Sequence, residues 1–358
     1  MNNITLQTSL LLVFLLNISI TTLYSQDQEL PKVTIIATGG TIAGSAESNA
    51  TTKYKAGVLS VDQIIASVKG IEQIADIEAV QFLNIASQNL SSAKQLELAS
   101  FIAQTLQREE ITGVIVTHGT DTMEESAYLL SLLVSSPKPV ILVGAMRPST
   151  GLGADGPANL YAAVVAATSE SSRGRGAMVM MNDELLLARD VVKFNTIKTD
   201  SFKAPNSSAI GSVVNGEAEY LYPSFERICF DEIPQSSLPL PKVAVLYGHV
   251  DSDPKLVDFL VAEGYKGIVF AGVGHGNTNN ETLEALSKAA KSGVAVVRAS
   301  RVPTGEVNSH GEVDDTEYGF TSAHRLNSAK ARVLLQLALI ESDGDSAKAL
   351  AKFDQMKY

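Results

Sequence analysis

Val33-Thr-Ile-Ile-Ala-Thr-Gly-Gly-Thr-Ile-Ala-Gly44 is a short apolar, β-branched strand that runs straight into a Gly-Gly-Thr turn. Two glycines free the backbone from Cβ sterics, so the chain can turn sharply and lie close to a ligand. The residue carried out on that turn is Thr41, a hydroxyl. In an open α/β sheet, ligands bind beyond the carboxyl ends of the strands, where this turn falls. Val114-Ile-Val-Thr-His-Gly-Thr-Asp121 repeats the pattern, an apolar strand ending in Gly-Thr with an acid attached. Both strand ends are therefore expected to face one site.

Outward from this strand, elements alternate. A loop over Ala43–Tyr54, rich in Gly, Ser, Asn and Thr, lacks periodicity and suits a lid beside a site. Its one aromatic, Tyr54, is open to two readings, a packing ring or a group over the site. Val61–Val68 reads as a helix capped by Ser60, and Ile77–Ile85 as a strand ending in Ala86-Ser-Gln-Asn89. The helices Ala93–Gln107, Met123–Val134 and Ala158–Ala167 alternate with the strands Ile111–Thr117, Pro139–Ala145 and Gly176–Met181. Such alternation predicts a parallel sheet covered on both faces. Glu184–Asp190 reads as a hairpin arm, and Asp200 to Gly216 as loop.

Pro234, Pro239 and Pro241 fall among Ser and Leu and mark a linker. A second α/β unit follows, with strands Lys242–Tyr247, Gly267–Ala271 and Val294–Ala299 and helices Pro254–Glu263, Asn280–Ser292 and Ala329–Ile340. The fold class is α/β: a larger N-terminal parallel-sheet domain (31–222), a linker (223–241) and a smaller C-terminal α/β domain (242–358).

The 358 residues are 45% hydrophobic and 19% charged, a globular balance with length for two domains. A net charge of −11 without a dense Lys/Arg run argues against nucleic acid and anionic membrane surfaces as partners. The single cysteine, Cys229, excludes an intrachain disulfide and a cysteine-based metal cluster. Leu10–Leu16, with the apolar stretch to Ile20, is too short to span a bilayer comfortably, and Leu23-Tyr-Ser25 suits a cleavage site. Residues 1–25 are read as a signal peptide, although no Lys or Arg precedes the apolar core.

Three chemistries compete for the strand ends. Gly39–Gly44 lacks the Gly-Lys-Ser/Thr ending of a phosphate loop, and Gly272-Val-Gly-His-Gly276 is one residue short of a dinucleotide fingerprint. The five histidines, His118, His249, His275, His310 and His324, make no metal-ligand spacing, and a zinc site needs three or four convergent ligands. Hydroxyl nucleophile chemistry remains. No Gly-x-Ser-x-Gly elbow is present, but threonines stand at two strand ends, with Asp121, Lys193 and Tyr54 as candidate partners. An alcohol needs an adjacent base, and a lysine serves if burial or a nearby cation lowers its pKa. Taken singly, each threonine is more often a capping or turn residue; the paired placement favours chemistry.

Ala37-Thr-Gly-Gly-Thr-Ile-Ala-Gly44 and Val116-Thr-His-Gly-Thr-Asp-Thr-Met-Glu-Glu125 resemble the two signatures of the bacterial L-asparaginases. The resemblance continues through Val143-Gly-Ala-Met-Arg-Pro148, Ala154-Asp-Gly-Pro-Ala-Asn-Leu160, Arg298-Ala-Ser-Arg-Val-Pro-Thr-Gly305 and Glu312-Val-Asp-Asp-Thr-Glu-Tyr-Gly-Phe320. It covers nearly everything after Lys32 and, with an export signal, is greatest to the type II (periplasmic) branch of the asparaginase/glutaminase family.

The resemblance implies an amidohydrolase without cofactor or metal. Thr41 matches the nucleophile that becomes acylated, and Tyr54 the lid tyrosine that assists it. Thr120 and Lys193 match the second threonine and its lysine. Ser87 and Gln88 match residues gripping the substrate α-carboxylate and α-amino group, and Asp121 an acceptor for that ammonium. Backbone N–H groups at Thr120 and Ala145 match the oxyanion hole. Asn277 and Glu312 match residues reaching the site from a neighbouring subunit of a homotetramer. His275 stands where the family often has a smaller or amide residue, and is read as shaping its turn. Gln88 stands where glutaminase-leaning relatives commonly carry Glu, which tilts the expectation towards L-asparagine over L-glutamine. The alternatives are a glutaminase-asparaginase acting on both amides and a periplasmic amino-acid-binding protein.

Overall fold

The computed structural model describes residues 29–46, 54–224, 227–230, 233, 237 and 239–357. The expected signal peptide (1–25), the middle of the expected lid (47–53) and part of the expected linker lie outside the described residues.

The N-terminal sheet has eight strands in the order β10-β9-β6-β5-β4-β3-β1-β2. Its parallel part comprises β1 (Lys32–Gly39), β2 (Asp76–Ile85), β3 (Ile111–Thr117), β4 (Val140–Val143) and β5 (Ala177–Met181). The parallel core is the expected one. The sheet then continues antiparallel through β6 (Glu184–Leu187), β9 (Gly211–Val214) and β10 (Glu217–Tyr220), so it is mixed. A separate two-stranded ribbon, β7 (Val192–Lys193) with β8 (Phe202–Lys203), crosses beside it. The stretch from Asp200 to Gly216, expected to be loop, thus carries both β8 and β9; their brevity leaves no period to detect.

Side-chain alternation assigns each parallel strand to two cores. Ile36, Val114 and Val116 face α2 (Ser92–Gln107) and α3 (Met123–Leu133), while Val33, Ile35 and Ile115 face α1 (Val61–Ala66) and α4 (Gly156–Thr168). Burial on both faces explains why these strands read as continuous apolar runs.

The C-terminal domain is a four-stranded parallel sheet, ordered β11 (Val243–Tyr247), β12 (Gly267–Gly272), β13 (Ala295–Ser300), β14 (Phe320–Ser322). On one face lie α5 (Lys255–Ala262) and α6 (Asn280–Lys291), packed on Ile268, Phe270 and Val296. A one-turn helix, α7 (Asp315–Tyr318), precedes β14. On the other face lies α8 (Ser328–Glu341), whose Ala331, Val333, Leu334, Leu335, Leu337 and Ala338 are all buried. Burial all round identifies a helix enclosed by protein; α8 packs on α3 of the first domain and on β11, β12 and β13 of the second. Each fully buried leucine there contributes about 1.5–3 kcal/mol of transfer free energy. One core cluster consequently runs from Ile36 through Leu335 to Val297. A last helix, α9 (Ser346–Met356), closes over α8 with Ala349 and Phe353.

The strand order positions the site. From β1 the chain passes to β2 on one side, then to β3 on the other, so the order reverses between β1 and β3. The crevice outside the carboxyl ends at such a reversal is where open α/β sheets bind ligands.

Candidate active site

At the end of β1 the backbone is glycine by necessity. Gly39 and Gly40 have φ of 108° and 83°. A Cβ on Gly39 would stand 2.4 Å from the Ile85 carbonyl oxygen, and one on Gly40 2.4 Å from Gly119 Cα. Only a hydrogen fits between these three strand ends. The chain then winds into a 3₁₀ turn, Thr41–Ala43, with the Thr41 side chain 5% exposed. Its Oγ1 lies 2.6 Å from the Tyr54 Oη. The tyrosine reaches it because Ser45 and Lys55 pair their backbones at 3.0 Å, drawing together the two ends of the intervening loop. Gly44 leaves room for the ring: a Cβ there would stand 2.9 Å from Tyr54 Cδ2.

At the end of β3, His118 is fully buried and fixes the turn. One ring nitrogen, Nδ1, lies 2.7 Å from the Gly119 carbonyl, and Nε2 lies 2.9 Å from Ser126 Oγ. Gln95 Nε2 donates to the same Ser126 oxygen at 2.8 Å. Burial pushes the imidazole pKa down, which keeps it neutral. The neutral ring then donates through Nδ1 and accepts the serine proton at Nε2.

Thr120 follows, 5% exposed, and Lys193 Nζ donates to its Oγ1 at 2.9 Å. The same Nζ lies 2.6 Å from Asp121 Oδ1. Lys193 arrives on the β7–β8 ribbon, with its backbone N–H held by Glu124 Oε2 at 2.7 Å. Thr41, Tyr54, Thr120, Asp121 and Lys193 line one cavity. Met146, Arg147 and the segment Thr196 to Lys198 line it too, and sequence reasoning assigned them no part. Arg147 lay within a quoted motif; Thr196–Lys198 carries no pattern.

The remaining expected residues fall in three places. Ser87 begins a 3₁₀ turn after β2, buried against Gly119, where an added Cβ would meet its Oγ at 2.7 Å. Thr122 Oγ1 donates to the Ser87 carbonyl at 3.0 Å, and Gln88 follows, exposed. Ala145 is buried after β4, and the adjoining N–H groups of Met146 and Arg147 donate to the Asp155 carboxylate at 3.0 and 2.9 Å. Asn159 Nδ2 donates to the Gly144 carbonyl at 3.0 Å, pinning the same loop to α4.

Asn277 and Glu312 do not line this cavity; they pair with each other on the C-terminal domain, Nδ2 to Oε2 at 2.6 Å. Buried Arg298 holds both of their segments, donating to Asp315 Oδ1, the His275 carbonyl and the Asn308 carbonyl, each at 2.7 Å. His275 shapes this turn: its Nε2 accepts the Asn308 N–H at 3.2 Å. Among the described residues, no three His, Cys, Asp or Glu side chains group to hold a metal ion.

Two buried hydroxyls at adjacent strand ends, one contacting a phenol and the other a lysine–aspartate pair, suit nucleophilic acyl transfer. Comparison with known families agrees. A model described as "Asparaginase, N-terminal" matches residues 32–225, and one described as "Glutaminase/Asparaginase C-terminal domain" matches residues 242–352. The "Probable L-asparaginase periplasmic" of Haemophilus influenzae is 47% identical over 316 residues, covering 88% of this chain and 90% of that protein. The "L-asparaginase 2" of Escherichia coli is 45% identical over 315 residues, covering 87% and 90%. A "Glutaminase-asparaginase" of Pseudomonas fluorescens is 39% identical, covering 88% of each chain. The crystal structure titled "Probable Cytoplasmic L-asparaginase from Campylobacter jejuni" superposes with a TM-score of 0.84 at 42% identity, covering 91% of this chain and 99% of that one.

Proposed function

The chain belongs to the asparaginase family, and from that premise we propose how its residues divide the reaction. It hydrolyses L-asparagine to L-aspartate and ammonia. The observation that carries the assignment is the pair of strand-end hydroxyls, Thr41 against Tyr54 and Thr120 against Lys193.

Thr41 Oγ1 attacks the side-chain amide carbon while the Tyr54 phenol, 2.6 Å away, relays the proton, accepting the threonine's as it gives its own towards the amide nitrogen. Negative charge collects on the former carbonyl oxygen, which the Thr120 and Ala145 N–H groups stabilise. Such preorganised donors are commonly the largest electrostatic contribution to acyl transfer. The carbon–nitrogen bond then breaks, the nitrogen leaves as ammonia with the transferred proton, and an ester on Thr41 remains. Water activated at Thr120 and Lys193 attacks that ester, releasing aspartate and restoring the hydroxyl. A lysine touching a threonine hydroxyl can accept its proton or, as the ammonium, stabilise charge on it.

The substrate's zwitterionic end needs carboxylate donors and an ammonium acceptor. Ser87, Gln88 and Asp121 supply them, and Asn277 with Glu312 complete the set from a neighbouring copy in a homotetramer. Charge-assisted bonds of this kind hold the amide in line for attack. The Asn277–Glu312 pair standing apart from this chain's own cavity supports sharing between subunits. Residues 1–25 direct export to the periplasm; N-terminal sequencing of the mature protein from a periplasmic fraction tests this, and retention of Met1 in the cytoplasm would refute it. Mass measurement in solution tests the tetramer.

Ammonia release from L-asparagine and, separately, L-glutamine by mature wild type and Thr41→Ala tests the assignment. Release from asparagine is expected to vanish in Thr41→Ala. Saturable asparagine binding without ammonia would leave only an amino-acid-binding protein. Activity on both amides is the second reading, favoured by the glutaminase-asparaginases among the relatives; comparable rates on the two would establish it.

A further inference from the structure

The signature that ends β3 runs past Thr120 and Asp121 into Glu124, an acid the chemistry above leaves unused. Glu124 stands in the first turn of α3. Its Oε2 accepts the Lys193 backbone N–H at 2.7 Å, and its Oε1 accepts Asn327 Nδ2 at 2.9 Å. One carboxylate thus holds the ribbon that carries the reactive lysine and, with its other oxygen, a residue of the C-terminal domain. Asn327 is the N-cap of α8, its Oδ1 accepting the Lys330 N–H at 2.9 Å. Three residues on, the Lys330 side chain, 1% exposed, donates to the Val191 carbonyl.

The first turn of α8 therefore grips the Val191–Lys193 segment twice, once directly and once through Glu124. The helix is itself enclosed between α3 and the second sheet, so its first turn is a fixed reference for both domains. We infer that Glu124 and Asn327 are positioning residues, which set where Lys193 Nζ stands against Thr120 and Asp121 and make that placement a joint property of the two domains. Neither residue lines the cavity; both act through the lysine backbone. With that backbone held, only side-chain torsions remain to bring Nζ to 2.9 Å from Thr120. A displacement of about 1 Å at a reacting group can lower the rate on the order of 10²-fold. The inference rests on the role proposed above for Lys193.

Polarity exchange across the Glu124–Asn327 contact tests it. In Glu124→Gln the amide oxygen can still accept the Lys193 N–H, but its NH₂ faces Asn327 Nδ2, donor against donor. In Asn327→Asp two carboxylates meet. Together, Glu124→Gln with Asn327→Asp restores one donor and one acceptor and keeps an oxygen for the α8 cap. Each single variant is expected to lower kcat on asparagine about tenfold or more with KM within about threefold, and the double to return to within about threefold of wild type. Asn327→Ser keeps a cap oxygen but shortens the side chain and removes the amide that reaches Glu124 Oε1, so it too should lower kcat. Wild-type kcat in the singles overturns the inference, as does a folded double no better than the product of its singles. If Glu124→Gln does not fold, Asn327→Ser decides: an unchanged kcat overturns the inference.

The lysine's own role is separated in the Lys193→Met background. An impaired Lys193→Met to which Glu124→Gln adds no further loss supports the inference. A further loss of the same factor as in wild type overturns the inference and leaves the lysine's role standing. Wild-type activity in Lys193→Met removes both.

Discussion

Thr41 Oγ1 and Tyr54 Oη lie 2.6 Å apart though separated by 13 positions in the chain, and the chain on either side of the intervening loop is paired at Ser45 and Lys55. Thr41 is fixed by the glycine turn after β1, whereas Tyr54 is held beside it by the backbone pairing of Ser45 with Lys55. The contact sets a phenol beside the strand-end hydroxyl, where it is needed when that hydroxyl attacks and when it is re-formed. Tyr54→Phe keeps the ring against Gly44 and removes one oxygen. Proton transfer by a positioned group contributes typically about 10²–10⁴-fold. We expect kcat on asparagine to fall by that order, with KM changed little and the melting temperature unchanged. Steady-state ammonia release measures it; a loss appearing mainly in KM would assign the phenol to binding.

Gly119 separates the Thr120 strand end from Ser87. A Cβ there would stand 2.7 Å from Ser87 Oγ, 2.8 Å from Ser87 Cβ and 3.1 Å from Ser87 N, so backbone as well as side chain must yield. Gly119→Ala should push the Ser87–Asn89 turn, which presents the expected carboxylate donors, away from the cavity. One charge-assisted bond contributes about 1.5–3 kcal/mol, so KM for asparagine should rise about tenfold or more. A KM equal to wild type, with the variant folded, would place substrate binding elsewhere.

Thr41, Thr120 and Asp121 were legible because two physical signals coincide in each stretch: a continuous apolar run and a glycine break at its carboxyl end. Lys193 was legible from chemistry only as one candidate partner, and its pairing with Thr120 came through resemblance. It lies on a two-residue strand, too short for any period, and reaches Thr120 from 73 positions away. The outer, antiparallel edge of the sheet was hidden for a similar reason, since Gly211–Val214 and Glu217–Tyr220 are too short to establish a period. Glu124 was in plain sight within a quoted signature. An acid in a helix's first turn is already accounted for by the helix dipole, so nothing local announces that it spans two domains. The helix Ser346–Met356 is a different case: Ala349, Phe353 and Met356, spaced four and three apart, are its buried residues, and that spacing was a readable helical signal.

Arg298 and Asp315 form a buried ion pair with side chains 3% and 1% exposed. Arg298 also carries the His275 and Asn308 carbonyls, so it joins the turn before Asn277 to the loop before Glu312. Removing one partner strands the other's charge in the interior, at a cost of about 3–5 kcal/mol. Arg298→Met should therefore destabilise the protein by that order in chemical denaturation. Arg298→Met with Asp315→Leu should recover much of the stability without restoring the link between the two segments. Where Asn277 and Glu312 serve a neighbour's site, the double variant should remain folded yet show a raised KM. A folded double variant with wild-type KM would separate this hub from substrate binding.

Lys330 supplies a pH dependence whose sign can be fixed in advance. Burial lowers its pKa from 10.5 to about 8, against the opposing pull of Glu124, Asp190 and Glu125 and with a smaller push from Arg189. Below pH 8 the folded state carries a buried ammonium, so the full penalty is present. Between pH 8 and 10.5 the unfolded chain binds more protons than the folded one at this position, and stability contributed by Lys330 rises with pH. Lys330→Met has no such group and forms the baseline. Relative to it, wild type should gain about 2 kcal/mol between pH 7.5 and 9.5 in denaturant titrations. The comparison cancels the contributions of every other group, which the two proteins share. A constant difference across that window would mean that Lys330 keeps its proton throughout, with the Val191 carbonyl and the nearby acids offsetting its burial. A falling difference would reverse the sign and require a folded-state pKa above that of the free side chain.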